Sequence, residues 1–239
     1  MADSTSKPSV HWKGHSRVTK SCHWCGKKQE LGAKPFQACS RCKEVIYCSK
    51  ECQVKSWPLH NVPCKSSTEL REKLAGNPNT EAEVARFKKW HSCHIHLFRQ
   101  AAVSALDLGK TPSNTDTKAL LLEVELRPNH ASLPASQKYR VKGDFDLTLT
   151  EAQEMLAGVG GAALLNSSLE AHAHMKKKGG LGITNLILVN GGFMDMTRVI
   201  LPSAEGAEKI QRFNEFGEFW VEWIGASIEA GYDAVPAPQ

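Results

Sequence analysis

The chain has 239 residues, 41% hydrophobic and 23% charged, the make-up of an ordinary water-soluble protein of one or two domains. No apolar run approaches the roughly 20 residues that a membrane-spanning helix needs, so a helical anchor is not expected. The formal charge of +5 sits at the front, where residues 1–66 hold 12 Lys and Arg against 4 Asp and Glu. Residues 1–20 are polar and basic with Gly, Pro and Ser, and read as a disordered arm. His11, Trp12 and His15 interleave there with Lys13 and Arg17, a pattern that reads as a solvated tail rather than a nucleic-acid patch.

Seven of the eight cysteines fall within residues 22–64. They run Cys22-x-x-Cys25, Cys39-x-x-Cys42, Cys48-x-x-x-Cys52 and, with a histidine, His60-x-x-x-Cys64. Four ligand pairs make eight ligands, enough for two tetrahedral zinc sites. A two-residue gap turns both sulfurs toward one ion, and Gly26 suits that turn. A three-residue gap places two side chains one helical turn apart on one face. Ser49 is the expected N-cap of a short helix carrying Cys52, and Pro58 fits the first turn of a second helix carrying His60. A disulfide framework is the competing reading, but paired ligands ending in a histidine are a metal pattern. Reduced thiols in turn call for a reducing compartment, so an intracellular protein of cytoplasm or nucleus, not a secreted one, is expected. Spacing alone leaves open whether the four pairs combine in sequence or in alternation.

The run CSRCKEVIYCSKECQVKSWPLHNVPC, with CHWC before it, resembles a MYND-type zinc finger. The likeness takes in all eight ligand positions plus Tyr47, Gln53 and Trp57, about a fifth of the chain. It implies a cross-brace: Cys22, Cys25, Cys48 and Cys52 on one zinc, Cys39, Cys42, His60 and Cys64 on the other. It also implies a role in binding short proline-containing peptides of other proteins, with Gln53 and Trp57 lining the groove. Two Zn²⁺ and seven thiolates lower the charge of residues 1–66 to about +5, well short of a DNA-binding footprint. A finger of residues 21–65 is too small to build much core, so its stability is expected to come from metal.

Residues 66–79 end in the breaker Gly76-Asn77-Pro78-Asn79 and read as a linker. A helix is expected from Thr80, as N-cap, to about Gly109, on the periodicity of Val84, Phe87, Trp90, His94, Leu97, Ala101 and Ala105. It carries His91, Cys93, His94 and His96, which do not share one face and read as partly buried side chains rather than a third metal site.

After a polar loop at 110–117, residues 118–127 alternate as a half-buried strand. A second strand alternates Tyr139, Val141, Gly143, Phe145, Leu147 and Leu149 against Lys138, Arg140, Lys142, Asp144, Asp146 and Thr148. Paired antiparallel, it would set its basic residues opposite Glu123 and Glu125. Thr150-x-x-Gln153 reads as a capping box opening a helix, glycines at 158–161 interrupt it, and a second piece runs from about Ala162 to Lys177. Gly179-Gly180-x-Gly182 follows a helix and precedes a strand, the reverse of a phosphate-cradling order, and reads as a chain turn. Asn190-Gly191-Gly192 joins strands Ile183–Val189 and Phe193–Leu201 as a hairpin. Ala204 to Ala230 reads as one helix with the apolar stripe Ile210, Phe213, Phe216, Gly217, Trp220, Trp223, Ile224 and the acidic side Glu215, Glu218, Glu222. Residues 80–232 are thus expected to form an α+β domain, an antiparallel sheet with helices on one face, and 233–239 a tail.

The expected function is that of an adaptor: a protein-interaction module with two structural Zn²⁺ and no catalytic residues, since protein ligands fill every coordination position. Two alternatives stand beside it. One is a lysine methyltransferase, because Asn129-His130 resembles the cofactor-binding Asn-His pair of SET domains that carry a MYND finger. Ala131 departs from that pattern, and Cys93 alone remains for a further cysteine cluster. The other alternative is a nucleic-acid-binding regulator, on the basic excess of the first 66 residues.

Overall fold

A computed structural model describes residues 13–213 and 219–231. The expected disorder of residues 1–12, the tail at 233–239, and Glu215, Phe216, Gly217 and Glu218 lie outside the described residues. Contacts divide the chain into two units that meet in sequence at Cys93 and His94.

The first unit contains α1 (His15–Val18), a two-stranded antiparallel ribbon of β1 (Gln37–Ala38) and β2 (Ile46–Tyr47), α2 (Lys50–Leu74) and α3 (Pro78–Cys93). Residues 13–20 are not part of an arm. The Ile46 N–H donates to Ser16 Oγ at 3.1 Å, the Gly14 N–H donates to Glu44 O at 3.1 Å, and Ser16 is buried.

The two short helices expected around Cys52 and His60 are one, α2, which continues through Pro58, Pro63 and most of the expected linker. Each proline deletes a ladder hydrogen bond at a cost of about 3 kcal/mol. Ser56, His60, Cys64 and Arg71 are nevertheless buried along the helix, and Arg71 Nη2 donates to Arg41 O at 3.0 Å. Tertiary contacts spread over several turns outweigh the missing bonds. The remaining break is short, and α3 starts at Pro78 with Asn77, not Thr80, as its cap, since Asn77 Oδ1 accepts from the Thr80 N–H at 3.2 Å. Pro78 supplies the N1 position that proline favours. The expected helix to Gly109 ends at Cys93.

The second unit opens with α4 (Ile95–Ala105) after His94, whose Nε2 meets Ser136 O at 2.7 Å. It continues with β3 (Lys118–Leu126), β4 (Tyr139–Thr148), α5 (Leu149–Gly158), α6 (Ala162–Lys176), β5 (Ile183–Asn190), β6 (Phe193–Ile200), α7 (Ala204–Phe213) and α8 (Trp220–Glu229). The sheet order is β4-β3-β5-β6; both outer pairs are antiparallel and the central pair β3/β5 is parallel. Returning from β4 to the far side of β3 takes the α5–α6 crossover that a parallel neighbour requires.

Helices cover both faces of this sheet, not one. Ala119, Leu121 and Ile187 pack with Ala152, Leu156 and Leu165 of α5 and α6. Leu120, Leu122, Leu186 and Leu188 point the other way and are equally buried, on the side where α4 and α8 reach the strands. Residues 119–122 and 183–188 are buried throughout because both faces of these strands are covered, and residues 119–122 and 186–188 accordingly read as unbroken apolar runs.

The β4 alternation is regular in sequence but not in space. Glu123 pairs with Gly143 while Val124 pairs with Val141, so Lys142 is an extra residue in a bulge. Tyr139 and Val141 therefore share the face of Leu126 and Val124, while Phe145 and Leu147 share that of Leu121 and Ala119. The expected charge pairing forms: Arg140 binds Glu125, and Lys142 lies 3.6 Å from both Glu123 and Glu125. These pairs lie at the surface of the sheet, where solvent screens them and leaves little net stabilisation. The capping box of α5 sits two residues earlier than expected. Thr148 Oγ1 accepts from the Glu151 N–H at 3.2 Å, and Glu151 Oε2 accepts from the Thr148 N–H at 2.8 Å.

The glycine turn before β5 has a steric reason. Gly182 holds φ +92°, and a Cβ there would stand 2.4 Å from His172 Nδ1. His172 is fixed from both sides, with Nε2 3.0 Å from Asp116 Oδ1 and Nδ1 against the backbone of Ile183. The hydrogen bonds from Lys176, then His172, hold the Asp116 carboxyl below its ordinary range. Gly182→Ala is expected to lower the stability of the second unit by about 2 kcal/mol or more. Gly180→Ala, with no atom nearer than 3.8 Å to the new methyl, should be near neutral in the same thermal melt.

Candidate metal centre

The two-residue pairs lie in the turns that their spacing predicts, whereas Cys48 stands outside the helix of Cys52, and His60 and Cys64 share that one helix. Cys22–Cys25 and Cys39–Cys42 each close a tight turn in which the following residue donates its N–H back to the first cysteine's carbonyl. These bonds are Gly26 to Cys22 at 3.0 Å and Lys43 to Cys39 at 2.9 Å. Both turns end left-handed, at φ 74° in Gly26 and φ 56° in Lys43, a conformation costing a side-chain-bearing residue about 1–2 kcal/mol. Cys48 precedes α2, and Cys52, His60 and Cys64 lie on it; Ser49 caps it as expected, accepting from the Cys52 N–H at 3.2 Å.

The ligand atoms gather into two tetrads, Cys22/Cys25/Cys48/Cys52 and Cys39/Cys42/His60/Cys64, each with all four atoms within 4.8 Å of one another. The pairing is alternating, a cross-brace, and not sequential. In the first tetrad Cys48 Sγ lies 3.6 Å from both Cys25 Sγ and Cys52 Sγ. In the second, Cys39 Sγ lies 3.8 Å from Cys64 Sγ, and Cys42 Sγ 3.6 Å from His60 Nε2. Zn–S bonds of about 2.3 Å put two sulfurs about 3.8 Å apart at the tetrahedral angle. The spacing is therefore that of ligands around one ion, and no cysteine is bridged to another. Two structural zinc ions fit the two tetrads.

The electrostatics agree. Burial pushes the Cys22 thiol up, but N–H groups of Cys25, Cys48 and Trp24 outweigh it and bring it down to about 7. Burial, together with the neighbouring charges of Cys39 and Cys64, pushes the Cys42 thiol upward. Sulfurs this close repel as thiolates until a dication sits between them, and that ion then deprotonates them. The second tetrad is fully buried. Its surroundings are Tyr47, which donates to Ser56 Oγ at 3.3 Å, and the rings of His23 and Trp57 edge-on to His60.

Gln53 and Trp57 lie one turn apart on the outer side of α2; Trp57 is 44% exposed, beside exposed Val54. Val54 was not singled out by the sequence; its place three residues before Trp57 on one helix face was the available signal. His91, Cys93, His94 and His96 form no third metal-capable group among the described residues. His91 sits edge-on to Phe87 within the first unit, and His94 is spent on Ser136. Asn129 and His130 fall in the turns after β3, where His130 Nδ1 meets the carbonyl of Arg127 at 2.9 Å.

Residues 22–64 match the MYND finger family model. Relatives are similar over short segments of this chain. Human Tudor domain-containing protein 1 is 27% identical over 85 residues, 36% of this chain and 7% of that protein. Mouse N-lysine methyltransferase SMYD2 is 41% identical over 51 residues, 21% of this chain and 11% of that protein. The Drosophila melanogaster zinc finger MYND domain-containing protein 10 homolog is 45% identical over 42 residues, 18% of this chain and 9% of that protein. The chain thus spans only about a tenth of the length of these relatives. No solved structure matches it significantly. No helix among the described residues is long and apolar enough to cross a membrane.

Proposed function

We propose that this chain is an intracellular adaptor, in which a zinc-held finger presents Gln53 and Trp57 to short proline-containing segments of other proteins. Cys22, Cys25, Cys48 and Cys52 hold one zinc, and Cys39, Cys42, His60 and Cys64 the other. The observation that carries the reading is Trp57, which leans on the ligand His60 yet keeps 44% of its surface in solvent. An aromatic anchored by the metal site and open on its other side is a preorganised contact for an apolar peptide. With four protein ligands on each ion, zinc supplies shape and no open position for water. The role is therefore binding, not catalysis, and the matched part of the methyltransferase relatives is the finger.

Peptide arrays of proline-containing sequences, probed with the zinc-loaded chain and with Trp57→Ala, test it. Truncating an interface anchor costs about 2 kcal/mol, roughly thirtyfold in affinity. The variant is expected to lose array signal by that factor while retaining two zinc ions per chain. Equal binding by both proteins would remove Trp57 from the contact. Robust methyl transfer from labelled S-adenosylmethionine to protein substrates would replace the adaptor reading with an enzymatic one.

A further inference from the structure

We infer that a basic cleft on the first unit, sharing no residue with the Gln53/Trp57 surface, receives an acidic segment of a partner protein. The cleft has a volume of about 180 Å³ and is lined by Lys13, Arg17, Lys20, Gln29, Phe36 and Ile46. Among the described residues, three cations and no carboxylate line it. None of the three is paired with an acidic side chain among the described residues, although the chain forms many such pairs elsewhere.

The cleft is built rather than accidental. Arg17 Nη1 donates to Lys43 O at 2.5 Å, which fixes the guanidinium and ties the wall to the second metal turn. Gln29 Oε1 accepts from the Phe36 N–H at 3.2 Å, so its NH₂ group remains as a donor for a ligand. Buried Ile46 and half-buried Phe36 supply an apolar wall. An anion with an apolar neighbour suits such a lining: the cations meet a carboxylate while the wall covers a hydrocarbon side chain. The volume is that of one or two side chains. A nucleic acid would call for cations in a row, tracking successive phosphates along an extended groove. The cleft therefore favours an Asp/Glu-containing peptide.

Fluorescence polarisation of the zinc-loaded chain of 239 residues tests this directly. The probe is a fluorescein-labelled nine-residue peptide with four Glu and one Phe, measured beside its Gln-for-Glu counterpart and a nine-nucleotide single strand. At about 50 mM salt the Glu peptide is expected to bind at least about tenfold tighter than the Gln peptide, and to weaken as salt rises. The double variant Lys13→Gln/Lys20→Asn should lower that affinity at least about fivefold with two zinc ions retained. Asn is chosen because position 20 is left-handed, at φ 51°, a conformation Asn accepts. Lys13→Gln alone, at an exposed side chain, should give a smaller loss in the same direction and serves if the double variant loses metal. Trp57→Ala should bind the acidic peptide as the parent does, which separates failure of the cleft from failure of the proline-peptide surface. Equal affinity for the Glu and Gln peptides, unchanged affinity in zinc-loaded Lys13 and Lys20 variants, or tighter binding of the oligonucleotide would each overturn the inference.

Discussion

Stripping the metal is expected to unfold residues 22–64 while the sheet of the second unit keeps its structure. The core of the finger consists of Cys22, Cys39, Cys42, Val45, Tyr47 and Cys64, with Trp24 and Phe36 packed at its margin. Four of those six buried residues are ligands, so without an ion the same atoms become a cluster of repelling or protonated thiols. Structural zinc contributes on the order of 10 kcal/mol to such modules, far more than the few apolar side chains here. Hydrogen exchange read by mass spectrometry, with and without a strong chelator, checks the expectation. Protection should vanish over 22–64 and persist at Ile183–Val189. Cys42→Ser should reproduce the loss at the second tetrad, because the residue is 1% exposed and its removal leaves the other ligands buried and incompletely coordinated. Persistent protection of 22–64 in protein shown by elemental analysis to be free of zinc would place the stability elsewhere.

The finger was legible because its determinants are local and chemical. Residue type and spacing name the ligand pairs, Gly26 marks one turn and Ser49 the helix cap. Only the resemblance separated alternating from sequential pairing, since Cys25 and Cys48 are brought to 3.6 Å by tertiary folding that spacing does not encode. Elsewhere, long-range packing overrides the local rules. Pro58 and Pro63 ordinarily mark boundaries, yet α2 runs through both because the metal side and Arg71 hold it along its length. Thr80 has the composition of a cap, but Asn77 and Pro78 form the start one turn earlier. The bulge at Lys142 leaves no trace in the alternation, so Tyr139 and Phe145 read as one face although they occupy two. The Leu120–Leu122 run signalled burial on both sides; the alternating charges after it drew the reading toward a half-exposed strand.

Ile187→Ala is expected to destabilise the second unit by about 2–5 kcal/mol, the range for deleting a fully buried aliphatic side chain. Ile187 is 0% exposed, pairs with Leu121 across the parallel ladder, and packs in the cluster that includes Leu156 and Leu165. Helices α5 and α6 enclose that face of the sheet, so the space left by the missing carbons has no loop through which to collapse. The penalty should therefore fall in the upper part of the range, since poorly relaxing sites retain the larger cavity. For a unit of this size each kcal/mol lowers the melting temperature by roughly 2–4 °C, giving a drop of about 10 °C. Ile200→Ala supplies the control, because Ile200 is 45% exposed at the end of the edge strand β6 and should cost under about 1 kcal/mol. Both melts are run with zinc present, so that the first unit is unchanged between them. Equal melting temperatures for the two variants would mean that β5 is not the enclosed centre of a two-sided core.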